Sequence, residues 1–208
     1  MSYISVDEKY EELVVINKSK FITTLVPIIS QEDAQQKYKE ISKKYSDATH
    51  NCYAYISNSL ATEQRFSDDG EPQGTAGMPM LEVLKKKNVY MTLAVVTRYF
   101  GGIKLGASGL VSAYSSCVAQ AIDNANKVEY KDSDRLSIEV DYSIYKVIEE
   151  MIINQNAQIE SREYDSKVLL KIVSPSDITN NIVSNVIEMS LGKAIITKLG
   201  HGYNKFKI

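Results

Sequence analysis

Two glycine-rich turns constrain the fold of this chain more than any other feature. Seven of its ten glycines lie between residues 66 and 114, in the segments 67–77 and 97–109. An apolar run with helical periodicity follows each turn, so each turn is expected to lead into the N-terminus of a helix. Glycine permits the backbone conformations that such turns require. Because helix N-termini attract anions, any ligand site is expected in this stretch.

The N-terminal part reads as a sheet with helices. Alternating and β-rich runs predict an opening hairpin, and the apolar run before the second turn predicts a central strand that carries Arg98 to its end. Ser30 followed by Asp33 indicates a helix cap. The predicted strands are Glu11–Asn17, Lys20–Val26, His50–Ile56 and Val89–Tyr99, and the predicted helices are Gln31–Tyr45, Met80–Lys87 and Ala107–Ala125.

The C-terminal part shows a different order of elements. The polar stretch 124–134 is expected to be a linker, with domains at 1–131 and 132–208. Beyond it the periodicity predicts the order β-α-β-β-α-β, which is the ferredoxin-like signature. The last predicted strand ends at Lys198, and His201 is expected in an exposed tail. The sequence therefore predicts an α+β protein of two domains.

The two turns resemble the IMPACT/YigZ family. Residues 67–79, 97–106 and 109–114 follow its patterns S-D-D-G-E-P-x-G-T-A-G-x-P, T-R-Y-F-G-G-x-x-L-G and G-L-x-x-A-Y. The resemblance implies a soluble bacterial-type protein of two domains, whose N-terminal α/β sandwich is similar to the ribosomal protein S5 domain 2-like fold. It also implies an association with translation or its regulation, and no particular catalytic activity. Eukaryotic relatives are linked to control of a starvation-responsive initiation-factor kinase, a role that the resemblance does not transfer.

Charge and composition exclude several classes of protein. Divided before Lys131, the N-terminal part carries 14 basic against 15 acidic residues and the C-terminal part 10 against 11, so neither is a basic domain. RNA binding would therefore need local clustering of cations. No apolar run is long enough to cross a bilayer, and the N-terminus lacks a signal peptide, so a cytoplasmic protein without a membrane partner is expected. Cys52 and Cys117 predict reduced, buried thiols.

The glycine turns are candidates for binding an anion or another ligand. Backbone N–H groups at both helix starts could converge on phosphate, with Arg98 or Lys104 adding charge-assisted bonds. The spacing fits neither a P-loop nor a dinucleotide fingerprint, and no cofactor is expected. Structural use of the glycines is an equal alternative. The candidate residues are Thr75, Ala76, Gly77, Arg98, Tyr99, Gly101, Gly102, Lys104, Ser108 and Gly109.

An acidic cluster in the first turn offers a second chemistry. His50, Asp68, Asp69 and Glu71 could perform acid–base catalysis or share a divalent cation. The preferred interpretation is turn chemistry or a structural pair with Arg98, because aspartates in turns commonly bond to nearby backbone N–H groups. No metal site is predicted.

Three functional hypotheses follow. The favoured one is a translation-associated binding protein without enzymatic activity, which contacts RNA, ribosomal components or a protein partner through the glycine-turn surface. The second is a hydrolase that uses the acidic cluster, either alone or with a divalent metal ion. The third is a protein-interaction adaptor that acts through the C-terminal domain, since ferredoxin-like folds often serve as docking modules.

Overall fold

A computed structural model describes residues 2–207 of the chain. The chain divides into two compact units, which consist mainly of Tyr3–Glu129 and Tyr130–Phe206. No helix within the described residues is long and apolar enough to span a bilayer. Each unit has its own hydrophobic core.

The N-terminal unit is built on an antiparallel sheet with the strand order β2-β3-β6-β4-β5. The opening hairpin turns at Asn17 and Lys18, both of which have positive φ angles, 46° and 65°. Such a turn matches the twist of the strands that it joins. The strands of this unit are β1 (Ser2–Val6), β2 (Tyr10–Ile16), β3 (Ser19–Pro27), β4 (His50–Ile56), β5 (Gln64–Ser67) and β6 (Thr92–Tyr99).

Three helices cover the two faces of this sheet. They are α1 (Gln31–Lys44), α2 (Gly77–Lys86) and α3 (Gly106–Asn124). Alternate residues of β6 enter different cores: Leu93 and Val95 lie in the core beneath α1, whereas Ala94 and Val96 lie in the core beneath α2 and α3. This is why β6 is buried along almost its whole length. The predicted central strand and α/β sandwich are thus confirmed.

The start of α1 confirms a detail of the sequence analysis. The Ser30 side chain accepts a hydrogen bond from the Asp33 backbone N–H, 3.2 Å long. Asp33 in turn accepts bonds from the Ile29 N–H and the Lys37 ammonium group. The cap satisfies N–H groups that have no partner inside the helix.

The C-terminal unit has the predicted ferredoxin-like topology. Its elements are β7 (Lys127–Val140), α4 (Tyr145–Asn154), β8 (Gln158–Tyr164), β9 (Val168–Pro175), α5 (Thr179–Met189) and β10 (Ile195–Lys207). β9 pairs with both β7 and β8, and β10 also pairs with β7. Ile148 and Ile152 of α4 and Ile182 and Val186 of α5 pack on the sheet in one core.

Three local expectations are wrong. The segment 127–134 belongs to β7 rather than to a polar linker, and β10 continues to Lys207 instead of ending at Lys198. His201 is therefore part of a strand: its Nδ1 lies 2.9 Å from an Asp134 carboxylate oxygen and its Nε2 3.0 Å from one of Asp132. Cross-strand pairs between polar side chains stabilise both polar segments as strands. Strands β1 and β5 were not predicted.

Candidate functional site

Residues of both glycine turns line one cleft of about 360 Å³ in the N-terminal unit. We call it the turn cleft. The first turn contributes Glu71 and Pro72. The second turn, the end of β6 and the start of α3 contribute Arg98, Phe100, Lys104, Leu105, Gly106, Ala107 and Leu110. The turn cleft thus contains some of the residues singled out in the sequence, in a setting that includes several apolar side chains.

The backbone donors of the first turn are already occupied. The Asp68 carboxylate accepts hydrogen bonds from the N–H groups of Gly74 at 2.8 Å, Ala76 at 3.0 Å and Gly77 at 2.8 Å. Thr75 donates its hydroxyl hydrogen to the carbonyl oxygen of Pro72. Asp68 therefore takes the place at the start of α2 that we expected for an external anion, because its carboxylate belongs to the same turn and is held beside those donors.

Arg98 is also engaged inside the protein. Its Nη1 donates to the Glu71 carboxylate at 2.6 Å, and the two side chains are only 6% and 3% exposed. The hydroxyl of Tyr114 donates to the same carboxylate oxygen at 2.8 Å. The guanidinium lies 5.4 Å from the ring centre of Phe21 and 5.5 Å from that of Phe100. The expectation of Arg98 as an accessible cation is corrected: its charge is neutralised by a buried ion pair.

The remaining members of the acidic cluster are held by the turn and by β4. His50 Nδ1 lies 2.7 Å from the Asp69 carbonyl oxygen, and since a carbonyl oxygen only accepts, Nδ1 carries the hydrogen. The Asp69 carboxylate accepts from the Asn51 N–H at 2.5 Å. His50 Nε2 is 3.9 Å from a carboxylate oxygen of Glu71. These contacts match the preferred interpretation of turn chemistry with a structural pair.

The same cluster supplies no donor set for a divalent cation. Across residues 2–207 no group of three or more His, Cys, Asp or Glu side chains has an arrangement that could hold a metal ion. Both carboxylate oxygens of Asp68 and one of Asp69 accept hydrogen bonds from backbone N–H groups.

Cys52 is buried next to this acidic cluster, and its thiol is unreactive. Its Sγ donates to the Asp68 carbonyl oxygen at 2.9 Å and lies 3.4 Å from the Tyr114 hydroxyl. Burial is the main cause that raises the pKa of Cys52 from 9.0 to about 12. Burial likewise raises the pKa of Tyr114. A nucleophilic Cys needs a lowered pKa and some exposure, and Cys52 has neither.

The second turn differs from the first, because its polar groups remain accessible to a ligand. α3 begins at Gly106, and it has neither a side-chain cap at Leu105 nor an acidic residue in its first turn. Lys104 and Ser108 are exposed, and Lys104 forms no ion pair within the described part of the chain. A positive side chain therefore lies beside the positive end of a helix dipole without an internal anion to balance them.

Phe100 is an aromatic cleft residue that was not among the predicted ligand-binding residues. It is 46% exposed, whereas Tyr55 and Tyr114 are buried in the cores. Tyr99 donates its hydroxyl hydrogen to Asp47 at 2.8 Å and does not line the turn cleft. The sequence contains a signal for this residue, because Phe100 directly follows a buried strand and precedes two glycines. At such a position an aromatic side chain leaves the core.

The fold and the turns define a class of protein with an α/β sandwich followed by a ferredoxin-like unit, and comparison with known proteins identifies its family. The family model described as the Impact N-terminal domain matches residues 17–122. IMPACT family member YvyE of Bacillus subtilis is 39% identical over 195 residues, 94% of this chain and 90% of the relative. IMPACT family member YigZ of Escherichia coli is 34% identical over 179 residues, 85% and 88% of the two chains. The chain belongs to the IMPACT family, as the turn patterns predicted.

A solved structure agrees with the fold. It is described as the crystal structure of an hypothetical protein, and it matches this chain with a TM-score of 0.60 at 30% identity. The match covers 96% of this chain and 98% of the other. The similarity therefore extends over both units.

Proposed function

We propose that this protein is a translation-associated binding protein and that the turn cleft contacts single-stranded RNA. The family resemblance supports the link to translation. The family model matches residues 17–122, which lie within the N-terminal unit, so the shared function is assigned to this unit. The proposal includes a cytoplasmic location, where translation takes place.

One observation carries the choice of RNA: an exposed aromatic ring and an unpaired cation line the same cleft. Phe100 offers a face on which a base can stack, and such stacking contributes about 1–3 kcal/mol per base. Lys104 and the N-terminus of α3 are suited to a backbone phosphate. Arg98 shapes the floor of the cleft through its ion pair with Glu71 and does not serve as a phosphate ligand.

The proposal is tested with a short, labelled single-stranded RNA of mixed sequence. We expect binding to weaken with salt, and Lys104→Ala to reduce the slope of log K against log salt by about 0.7, the contribution of one phosphate contact. Phe100→Ala should weaken binding at all salt concentrations by about 1–3 kcal/mol, because it removes the stacking platform.

Lys39→Ala is the matched control. Lys39 is an exposed lysine on α1, which covers the opposite face of the sheet, so its removal changes the net charge equally. RNA binding that falls equally in Lys39→Ala and Lys104→Ala would contradict a site at the turn cleft. Capture of a ribosomal protein that persists after nuclease treatment, and is lost in Phe100→Ala, would instead assign the cleft to a protein partner.

A further inference from the structure

Three tyrosines form an exposed cluster in the C-terminal unit, far along the chain from the turn cleft. The ring centres of Tyr142, Tyr145 and Tyr164 lie 6.0 to 6.5 Å from one another. The rings of Tyr142 and Tyr164 are inclined by 25°, and Tyr145 stands nearly perpendicular to both, at 83° and 81°. Tyr142 is 48% exposed and Tyr164 55%. The cluster thus presents ring faces in more than one direction.

The positions of these rings are fixed by the fold. Tyr142 follows β7, Tyr145 begins α4 and Tyr164 ends β8. The Tyr142 hydroxyl donates to the Asp165 carbonyl oxygen at 2.8 Å. Tyr145 packs against the core of the unit, whereas Tyr142 and Tyr164 are not part of it. Core packing therefore accounts for the Tyr145 ring, whereas the Tyr142 and Tyr164 rings lie outside the core and are exposed.

The segment that carries the cluster has an excess of negative charge. Residues 139–167 contain seven carboxylates and three cations. Four of the carboxylates form ion pairs, namely Glu139, Glu149, Glu160 and Glu163. Asp141 and Asp165, which flank two of the tyrosines in sequence, form no ion pair within residues 2–207. Among the described residues, the charged groups of this segment without an ion pair are thus Asp141, Glu150 and Asp165 against Lys146.

We propose that the tyrosine cluster binds an arginine side chain of a basic protein segment. Cations are attracted to the faces of aromatic rings, and arginine is the commoner partner in such contacts. Its planar guanidinium stacks on rings while its N–H groups reach carboxylates, which suits a surface that combines Tyr164 with Asp165. A cleft of about 370 Å³ adjoins the cluster and offers space for neighbouring residues of that segment. It is lined by Glu139, Glu163, Tyr164, Asp165, Ser166, Lys167 and Leu169. Asp141 and Asp165, which form no ion pair within residues 2–207, disfavour a phosphate group, so this surface does not fit RNA.

The test is calorimetric titration of the full chain at low salt with a peptide of alternating glycine and arginine. The matched peptide has citrulline in place of arginine, so that it keeps the shape and loses the charge. We expect the citrulline peptide to bind at least about tenfold more weakly, and Tyr164→Ala to weaken the arginine peptide by about tenfold, because one ring face is lost. Tyr142→Phe keeps the ring and should bind within about twofold of the unchanged protein.

Two controls complete the test. Phe66→Ala removes a partly exposed ring from the N-terminal unit and should leave binding of the arginine peptide unchanged. Tyr164→Leu serves as a second variant if Tyr164→Ala unfolds, since leucine fills space but has no ring face. Equal affinity of the unchanged protein and the folded Tyr164 variant would overturn the proposal. So would a citrulline or lysine peptide that binds as tightly as the arginine peptide.

Discussion

Arg98 forms an ion pair with Glu71 that is buried within the N-terminal unit. In sequence it is a cation at the end of a strand, beside a glycine turn. In the folded chain it faces the core beneath α2 and α3, as Ala94 and Val96 do, and it meets Glu71 there. A buried ion pair of this kind contributes little net stability when both partners are present, yet removal of one partner leaves an uncompensated charge.

We expect Glu71→Gln to lower the free energy of unfolding by about 3 kcal/mol, because it keeps the shape of the side chain and leaves Arg98 without its counter-charge. Urea denaturation measures this change. Glu82→Gln is the control, since Glu82 pairs with Lys85 on the exposed face of α2, and we expect it to change stability by less than about 1 kcal/mol. A similar loss in both variants would contradict the assignment of Glu71 as the partner of a buried charge.

Two buried thiols make the free energy of unfolding depend on pH in the alkaline range. Burial raises the pKa of Cys52 from 9.0 to about 12 and that of Cys117 from 9.0 to about 11. Both groups hold their protons more tightly in the folded than in the unfolded state. Their contribution to stability is therefore complete below pH 9 and is lost as the pH rises toward the folded pKa.

Between pH 9 and 11 we expect the free energy of unfolding to fall with a slope of up to about 1.4 kcal/mol per pH unit for each of the two thiols. Urea denaturation across this range measures the slope. Cys117→Ala should flatten the dependence below pH 11, and Cys52→Ala should flatten it up to pH 12. An unchanged slope in both variants would show that the thiols do not cause the dependence.

At the scale of elements, the backbone of the second glycine turn packs closely against that of the opening hairpin. A β-carbon added to Gly101 would lie 2.1 Å from the backbone carbonyl carbon and oxygen of Lys18, a distance that no side chain can adopt. Gly101 also donates its N–H to the Ser19 hydroxyl at 3.2 Å. The hairpin β2–β3 thus fixes the path of the chain between β6 and α3, and with it one wall of the turn cleft.

Gly101→Ala and Gly102→Ala form a matched pair that separates close packing from backbone strain. We expect Gly101→Ala to cost more than about 3 kcal/mol or to prevent folding, because two backbone segments must move apart. Gly102 has a φ of +86° and nothing within 4 Å of an added β-carbon, so Gly102→Ala should cost only about 1–2 kcal/mol. Thermal melting of both variants measures which substitution lowers stability more. A larger loss for Gly102→Ala would contradict the role of close packing at Gly101.

At the scale of the whole molecule, the two units carry surfaces of different chemistry. The turn cleft combines Phe100 with the unpaired Lys104, and the tyrosine cluster combines Tyr142 and Tyr164 with unpaired carboxylates. Net charge does not reveal this contrast, because the two parts of the sequence each carry one excess negative charge. The protein is therefore proposed to hold RNA and a basic protein segment with separate units.

These two activities should be separable by mutation. We expect Lys104→Ala to weaken RNA binding and leave binding of the arginine peptide unchanged, and Tyr164→Ala to do the reverse, since the two surfaces share no residue. Titration of each variant with both ligands measures this. Loss of both activities in either folded variant would contradict the assignment of one ligand to each unit.

Much of the fold was predictable because its signals are local. The periodicity of α1, the cap at Ser30 and the alternation within the C-terminal unit each depend on residues close in sequence. The two wrong expectations about segment 127–134 and the end of β10 have a common cause. Polar segments such as 127–134 and the end of β10 become strands because Asp132 and Asp134 meet Lys198 and His201 across the sheet, and no local pattern reports that pairing.

The sequence alone determined the family, the order of most helices and strands, and the place of the glycine turns, because these depend on neighbours along the chain. Only the tertiary structure decided which polar groups are still available to a ligand. Asp68 closes the first turn and Glu71 neutralises Arg98, while Lys104 keeps its charge unpaired. The physical reason is that a buried polar group must find a partner, and its partner is chosen by distance in space, here across 27 residues from Glu71 to Arg98.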